Sequence, residues 1–263
     1  MSDDSSVGLE EARSSDFVTS FAKGLAVIQS FGADAPRMTL SDVAERTGYS
    51  RATARRFLLT LVTLGFAESD GKFFELTPKV LCLGHAYLSS LNFWEAARPY
   101  LAEVTRLTHE SSSAAVLDGT DVVYVARSAA PHRIMSVSLT VGTRLPAHAT
   151  SMGQVLLAAL PDDALRKYLS LAPFERFTRR TIVEAEALER RLQIVRQHAY
   201  AMADQELEGG LRSLAVPIAQ NGDRVVAALN ISTHSARVSK STMVRDYLPH
   251  LICAAEKISA MSP

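Results

Sequence analysis

MTLSDVAERTGYSRATARRFLLTLVTLGFAESDGKFFELT, residues 38–77, decides how this chain is read. Leu40, Val43 and Ala44 recur at helical spacing, and Thr39 or Ser41 can cap the helix they belong to. Thr47-Gly48-Tyr49 breaks it, with Gly48 suited to a positive φ. Ser50 then caps a second helix running to about Leu64, where Gly65 stops it. In that helix Ala54, Phe57, Leu58 and Leu61 form one apolar stripe. Ala52, Arg55 and Arg56 lie roughly opposite, Arg51 occupies the first exposed turn, and no acid interrupts the three arginines. Phe66 to Ser69 and Lys72 to Leu76 flank Asp70-Gly71, a strong hairpin signal that puts Lys72 at the tip. Two short helices, a tight turn and a two-stranded wing make a winged helix-turn-helix, a module that lays its second helix in the major groove of DNA. Candidate DNA contacts are Thr39, Ser41, Ser50, Arg51, Thr53, Arg55, Arg56 and Lys72. Hydroxyls and the lysine suit phosphates, and arginines suit phosphates and base edges. The three arginines could equally form a solvated charged face; the caps, glycine turn and wing around them favour DNA.

Upstream, Phe17, Phe21, Leu25 and Ile28 recur every three or four residues, which predicts a first helix ending near Gly32. Residues 1–16 are acidic and serine-rich with no apolar core, so they read as a mobile tail and not a secretory signal. Downstream, residues 79–92 include Val80, Leu81, Leu83, Ala86, Tyr87 and Leu88 with a thin polar side. They predict a linker helix that also helps to dimerise. A further helix covers about 93–109. From Ser111 strands and helices alternate. Strands are expected at Ser113 to Leu117 and Val122 to Ala126 around Asp118-Gly119, at Ile134 to Leu139, and at Leu214 to Ile218 and Val225 to Ile231 around Asn221-Gly222. Helices are expected at Thr150 to Leu160, about 184–198 and about 239–260. The expected fold class is α+β: a winged helix-turn-helix over 17–78, a linker helix over 79–92 and a mixed α/β domain over 93–263.

A chain of 263 residues, 47% hydrophobic and 21% charged, can build two modest domains with real cores. Its formal net charge of zero means that nucleic-acid binding must come from a local patch. Cys82 and Cys253 are too sparse for a disulfide framework or zinc site and read as buried free thiols in a reducing cytosol. No apolar run is long enough to span a bilayer. G-x-S-x-G, H-E-x-x-H, P-loop and G-x-G-x-x-G patterns are absent, and His109-Glu110 lacks a zincin's second histidine. An enzyme with an appended winged helix is thus a weaker reading, as is a winged helix that binds only protein. Asp204 and Glu206 have no third ligand at useful spacing, so no metal is expected, and no cofactor motif appears.

Three segments carry a resemblance: LPAHATSMGQVLLA at 145–158, DQELEGGLRSLAVPI at 204–218 and ALNIS at 228–232. Together with the helix-turn-helix, wing and linker helix, they resemble the IclR family of bacterial transcription regulators. DQELEGGLRSLAVP with VGTRLPAHATSMG is most similar to the branch that senses aromatic catabolites such as protocatechuate, 4-hydroxybenzoate or β-ketoadipate. The resemblance implies a GAF-like C-terminal domain binding a small organic acid. It also implies homodimers or tetramers on inverted-repeat operators, in the bacterial cytoplasm and on the nucleoid when DNA is bound. RNA polymerase is a further candidate partner, and no membrane is involved. It implies an effector pocket formed by Ser151, Met152, Asp204, Ser213, Asn230 and Ser232, with Ile134, Val137, Leu145 and Leu211 as apolar walls. A regulator answering to a short keto acid is the alternative. Gln154 stands where the family more often has Lys or Arg, a change expected at the helix surface. Asn230 stands where many members have Ser, a change that bears on which effector is accepted.

The chemistry of such a pocket can be read from residue types. Ala149-Thr150-Ser151 opens a helix after Pro146, and the unpaired first-turn N–H groups there suit a carboxylate. The plain alternative is that Thr150 and Ser151 only cap the helix. His148 can bond the ligand or brace its loop. Arg127, Arg133 and Arg144 lie around the expected strands, where each can pair with a carboxylate or stay solvated.

Overall fold

The structure, a computed structural model, describes residues 17–84, 92–130, 139–220 and 224–261. The chain divides into two compact units, residues 1–90 and 91–263. In the first, α1 (Thr19–Gln29), α2 (Leu40–Thr47) and α3 (Arg51–Thr63) close around Val27, Met38, Val43, Ala54, Leu58 and Leu61. Of the two candidate caps for α2, Thr39 serves. Its hydroxyl accepts from Asp42 N, and the Asp42 carboxylate accepts from Thr39 N at 2.8 Å, a reciprocal capping box. Ser41 lies inside the helix and is exposed. Gly48 turns the chain with φ +68°, Ser50 caps α3 by accepting from Thr53 N, and Gly65 leaves it with φ +77°.

The wing has three strands rather than the expected two. β1 (Arg37–Thr39), β2 (Ala67–Ser69) and β3 (Phe73–Leu76) form an antiparallel sheet in the order β1-β3-β2. Three residues are too few for β1 to show an alternating pattern, and its partner lies far along the chain. The first helix also differs. Phe17, Phe21 and Leu25 are exposed, and Val27 is the buried residue. Periodicity identifies an apolar stripe but not what covers it, and α1 meets α3 beside Gly24, next to the Phe57 ring.

A 3₁₀ turn, Pro78–Val80, leads into helix at 81–84, where Leu81 and Leu83 are exposed. The rest of the expected linker, the tail at 1–16, the Asn221-Gly222 turn and nearly all of the strand expected from Ile134 lie outside the described residues.

In the second unit six antiparallel strands lie in the order β6-β5-β4-β9-β8-β7. They are β4 (Ser111–Asp118), β5 (Asp121–Ser128), β6 (Arg144–Pro146), β7 (Ala201–Asp204), β8 (Leu211–Gln220) and β9 (Arg224–His234). One face packs Leu214, Leu229 and Ile231 against α4 (Asn92–Thr108) and the C-terminal helix. The other face packs Ala115, Tyr124, Ala215 and Ala228 against α5 (Ser151–Ala158), α6 (Asp162–Leu169) and α7 (Ala185–His198). A sheet covered on both faces needs apolar or satisfied residues at every position, which is why β8 and β9 read as near-continuous apolar runs. The short β6 and β7 give no usable alternation, and α6 and the 3₁₀ turn Ala147–Ala149 likewise go unanticipated. The final helix is one turn at Lys240–Thr242, a π-helical stretch at Met243–Tyr247, then α8 (Leu248–Ser259). Pro249 lacks the N–H that would bond back one turn, so the backbone is free to widen there.

Cys82 and Cys253 are both exposed, which corrects their expected burial. Cys253 sits on the outer side of α8, while Leu251, Ala254 and Ala255 face the core. Among the described residues no helix is long and apolar enough to cross a membrane.

The capping box makes a direct prediction. In urea unfolding of the full chain, Thr39→Ala is expected to destabilise the first unit by about 1 kcal/mol, while Ser41→Ala stays within a few tenths. Equal losses from both variants would contradict the assigned cap.

Candidate functional site

On α3 the guanidinium groups of Arg51, Arg55 and Arg56 are exposed opposite buried Ala54, Leu58 and Leu61. Among the described residues none of the three has an ion-pair partner, so their charge is available to an outside anion. Thr39 and Ser50 are committed to helix caps, and Thr53 is bound to Ser50 through both its N–H and its hydroxyl. Ser41 is exposed on the first turn of α2. Lys72 is exposed beside the Asp70-Gly71 turn, its ammonium 5.1 Å from the Phe73 ring centre. Arg37 pairs with Asp70 and also lies over that ring. One residue absent from the sequence reading is Lys23, which shares a cleft between α1 and α3 with Ser20, Thr53, Arg56 and Thr60. Nothing in the local pattern of α1 distinguishes it.

In the second unit the start of α5 and the cavity-facing side of the sheet enclose a space of about 30 Å³, enough for one or two waters. Five expected residues border it: Leu145, Leu211, Ser213, Asn230 and Ser232. Tyr124, Leu139, Thr150, Ala203, Glu206 and Glu208 also border it. Thr150 belongs to the helix start read from the sequence, whereas Tyr124 and Ala203 arrive through strand pairings distant in sequence, for which no local signal exists. Ile134 and Val137 lie outside the described residues. Ser151 is buried one layer back and donates to Ser213 Oγ at 2.9 Å. Met152 is fully buried in the core between α5 and the sheet. Thr150 both borders the cavity and caps α5, its Oγ1 accepting from Gly153 N at 3.1 Å.

His148 acts as a brace. Its ring stacks on Phe174 with centroids 5.0 Å apart, and Nε2 lies 3.0 Å from Glu175 O. Burial holds its pKa below the ordinary value, so the ring stays neutral at pH 7. Asp204 is occupied by cations: Arg212 at 2.8 Å, Arg180 at 2.6 Å and Lys240 at 2.9 Å. Burial pushes its carboxyl up, but the hydrogen bonds and charges of Lys240 and Arg212 outweigh it and set the pKa at about 2.

Gln154 corrects the surface placement expected for it. It is fully buried, with Nε2 donating to Glu206 Oε2 at 2.7 Å and to His148 O at 3.1 Å. Arg191 reaches the other Glu206 oxygen at 3.0 Å. A buried carboxylate is thereby charge-balanced and hydrogen-bonded at the cavity wall. Of the three candidate arginines, Arg144 is tied to Asp118 and Asp121 and is exposed, and Arg133 lies outside the described residues. Arg127 is half-buried, and its Nη1 donates to Ser113 Oγ at 3.5 Å. Asn230 Nδ2 donates to Ser232 Oγ at 3.2 Å, while the buried Asn230 Oδ1 has no hydrogen-bond partner among the described residues. Among the described residues no three His, Cys, Asp or Glu side chains converge to hold a metal.

Known proteins align with both units. Residues 20–71 match the IclR helix-turn-helix domain, and residues 85–260 match the bacterial transcriptional regulator IclR C-terminal domain. The Pca regulon regulatory protein of Pseudomonas putida is 48% identical over 243 residues, spanning 92% of this chain and 84% of that protein. The p-hydroxybenzoate hydroxylase transcriptional activator of Acinetobacter baylyi is 37% identical over 253 residues, spanning 95% and 93%. The crystal structure of an IclR homologue complexed with 4-hydroxybenzoate, from Microbacterium hydrocarbonoxydans, superposes with a TM-score of 0.80 at 26% identity, covering 92% of this chain and 98% of that one.

Two predictions follow from the packing and charge around the cavity. A Cβ on Gly153 would lie 2.1 Å from Ala147 O, so Gly153→Ala must push the 147–149 turn off α5. A loss of about 1–3 kcal/mol is expected from this overpacking, against almost none for Gly209→Ala, where a Cβ meets nothing within 4 Å. Asp204 has its pKa lowered on folding from 3.8 to about 2. Its stabilisation is therefore full above about pH 4 and is lost as pH falls toward 2, roughly 2 kcal/mol in all. Asp204→Asn should remove that part of the acid limb in a pH series of unfolding midpoints; an unchanged limb would refute the assignment.

Proposed function

Because this chain belongs to the IclR family of bacterial transcriptional regulators, we propose that it controls an operon of aromatic-acid catabolism. A small ring acid enters the cavity of the second unit, and α3 with its wing binds an inverted-repeat operator. The observation that carries this reading is the pairing of two features in one chain. One is a capped helix with three arginines facing out, none of them ion-paired among the described residues; the other is an internal cavity bordered by hydroxyls, a carboxamide and the carboxylates of Glu206 and Glu208. The relatives named for the Pca regulon and for p-hydroxybenzoate hydroxylase, and the homologue holding 4-hydroxybenzoate, supply the effector class.

Arginine contacts to phosphates give affinity and salt dependence, and contacts to guanine edges give specificity. A homodimer, alone or paired into a tetramer, presents two such helices to half-sites spaced by whole helical turns. It works in the cytoplasm, on the nucleoid when DNA is bound, where RNA polymerase is within reach. An effector changes operator occupancy only by favouring one arrangement of the protein over another. A cavity of about 30 Å³ must widen to admit a ring, so binding favours a widened arrangement. Glu206, held by Gln154 on α5 and Arg191 on α7, joins the cavity wall to both helices. A coupling of about 1–3 kcal/mol changes operator affinity several-fold to a hundredfold. The same small volume favours a second reading, a regulator that answers to a short keto acid.

Thermal unfolding against protocatechuate, 4-hydroxybenzoate, β-ketoadipate, pyruvate and glyoxylate separates these readings. A ligand at ~100 times its Kd adds about 2.7 kcal/mol. A shift with a ring acid supports the proposal, and a shift confined to pyruvate or glyoxylate supports the second reading. On the DNA side, replacing Arg51, Arg55 or Arg56 by Ala should either lower the salt slope by about 1 or relax specificity at one base position. Undiminished operator binding by the triple variant would falsify the assigned DNA face.

A further inference from the structure

Neither α1 nor α3 carries an acidic residue. Each helix contributes one cation to the cleft between them, Lys23 from α1 and Arg56 from α3. The cleft holds about 350 Å³, and among the described residues neither cation has an ion-pair partner. Like charges that face one space repel, and an anion placed between them relieves both.

Lys23 is half-buried, and its ammonium lies 5.6 Å from the centre of the Tyr49 ring. A cation over an aromatic face is favoured, and Tyr49 belongs to the turn that leads into α3, so the ammonium is held beside the first turns of that helix. A hydroxyl donor is available there too. Ser50 Oγ donates to Thr53 Oγ1 at 2.9 Å and accepts from Thr53 N, which leaves the hydroxyl hydrogen of Thr53 for an acceptor outside the protein. At about 100° per residue, Thr53, Arg56 and Thr60 fall on one side of α3, the side that borders the cleft. Arg51 and Arg55 lie about 140° and 100° around the helix from Arg56. The three arginines therefore do not share one environment. A helix laid in the major groove meets base edges along its front and a strand's phosphates along its sides.

We propose that the α1–α3 cleft seats one backbone phosphate of the operator, with Lys23 and Arg56 as its two cations and the Thr53 hydroxyl as a further donor. Arg56 is then a phosphate contact, and Arg51 and Arg55 are left to read bases. This rests on the DNA-binding reading above and divides the arginines that it treats alike. A phosphodiester suits the cleft because its two unesterified oxygens can each take a cation and still accept from a hydroxyl.

The test uses the full-length protein with a duplex that it selects from a random-sequence pool, beside a scrambled duplex of the same composition, each titrated across a series of KCl concentrations. Lys23→Gln and Arg56→Gln are each expected to weaken both duplexes by the same factor and to lower the salt slope. The double variant should lower that slope by about 1 in total, the share of one phosphate. Lys23→Arg should keep the slope of the unmodified protein. Replacing Arg51 and Arg55 together by Gln should instead cut the preference for the selected duplex about fivefold or more. An unchanged slope in Lys23→Gln, or a cleft variant that loses sequence preference, overturns the inference. So does a slope loss of about 2 in the double variant, which places the two cations on separate phosphates. A Lys23→Gln protein that keeps its slope but loses thermal stabilisation by inorganic phosphate makes the cleft a seat for a free anion, again against the inference. Failure of the unmodified protein to select any duplex overturns the DNA-binding reading itself, and this inference with it.

Discussion

All eight residues of α5 are buried, and the second unit is organised around that constraint. A helix without a wet face must sit close to everything around it and must find a partner for every polar group it carries. Small side chains make the first condition possible. Ala115, Ala215 and Ala228 lie beneath it on the sheet, and Gly153 lets the Ala147 carbonyl approach to a distance that a methyl group would block. The second condition is met by specific bonds: Thr150 to the backbone of its own first turn, Ser151 to Ser213, and Gln154 to Glu206 and the His148 carbonyl. The cavity lies at the start of this helix, where Ala149 and Thr150 border it.

The charges around the cavity follow the same logic. Asp204 and Glu206 are close in sequence but serve different surroundings. Asp204 gathers Arg180, Arg212 and Lys240 from a loop, a strand and the approach to the C-terminal helix. Glu206 faces inward and is balanced by Arg191 and a neutral amide. Both carboxylates are thereby neutralised within the protein.

Much of the first unit was legible in the sequence because its signals are local. Thr39 and Ser50 cap, Gly48 and Gly65 turn, and Asp70-Gly71 closes the hairpin, each acting within a few residues of itself. Strand β1 was not legible, because only its partner β3 makes it a strand. In the second unit the Asp118-Gly119 hairpin and α7 could be read, whereas β6, β7 and α6 could not. Resemblance supplied positions but not side-chain directions. Leu145, Leu211, Ser213, Asn230 and Ser232 border the cavity; Asp204, carried over on the same footing, turns to three cations, and His148, open in the sequence between ligand contact and loop brace, stacks on Phe174. The full burial of Gln154 is not legible, because its partners Glu206 and the His148 carbonyl are brought to it only by the fold. Apolar neighbours in sequence do not bury the two cysteines: Leu81 and Leu83 beside Cys82 are exposed, and so is Ile252 beside Cys253.

Those cysteines have a practical consequence. The chain holds only two thiols; one lies in each compact unit and both are open to reagents. A maleimide dye or spin label therefore attaches once to the DNA-binding unit and once to the sensing unit with no residue replaced. The natural protein is its own two-point ruler, able to report any change in separation between the units as ligand or DNA is added. The same exposure leaves both sulfurs open to oxidants, so purified protein must be kept reduced if its assembly state is to reflect packing and not cross-linking.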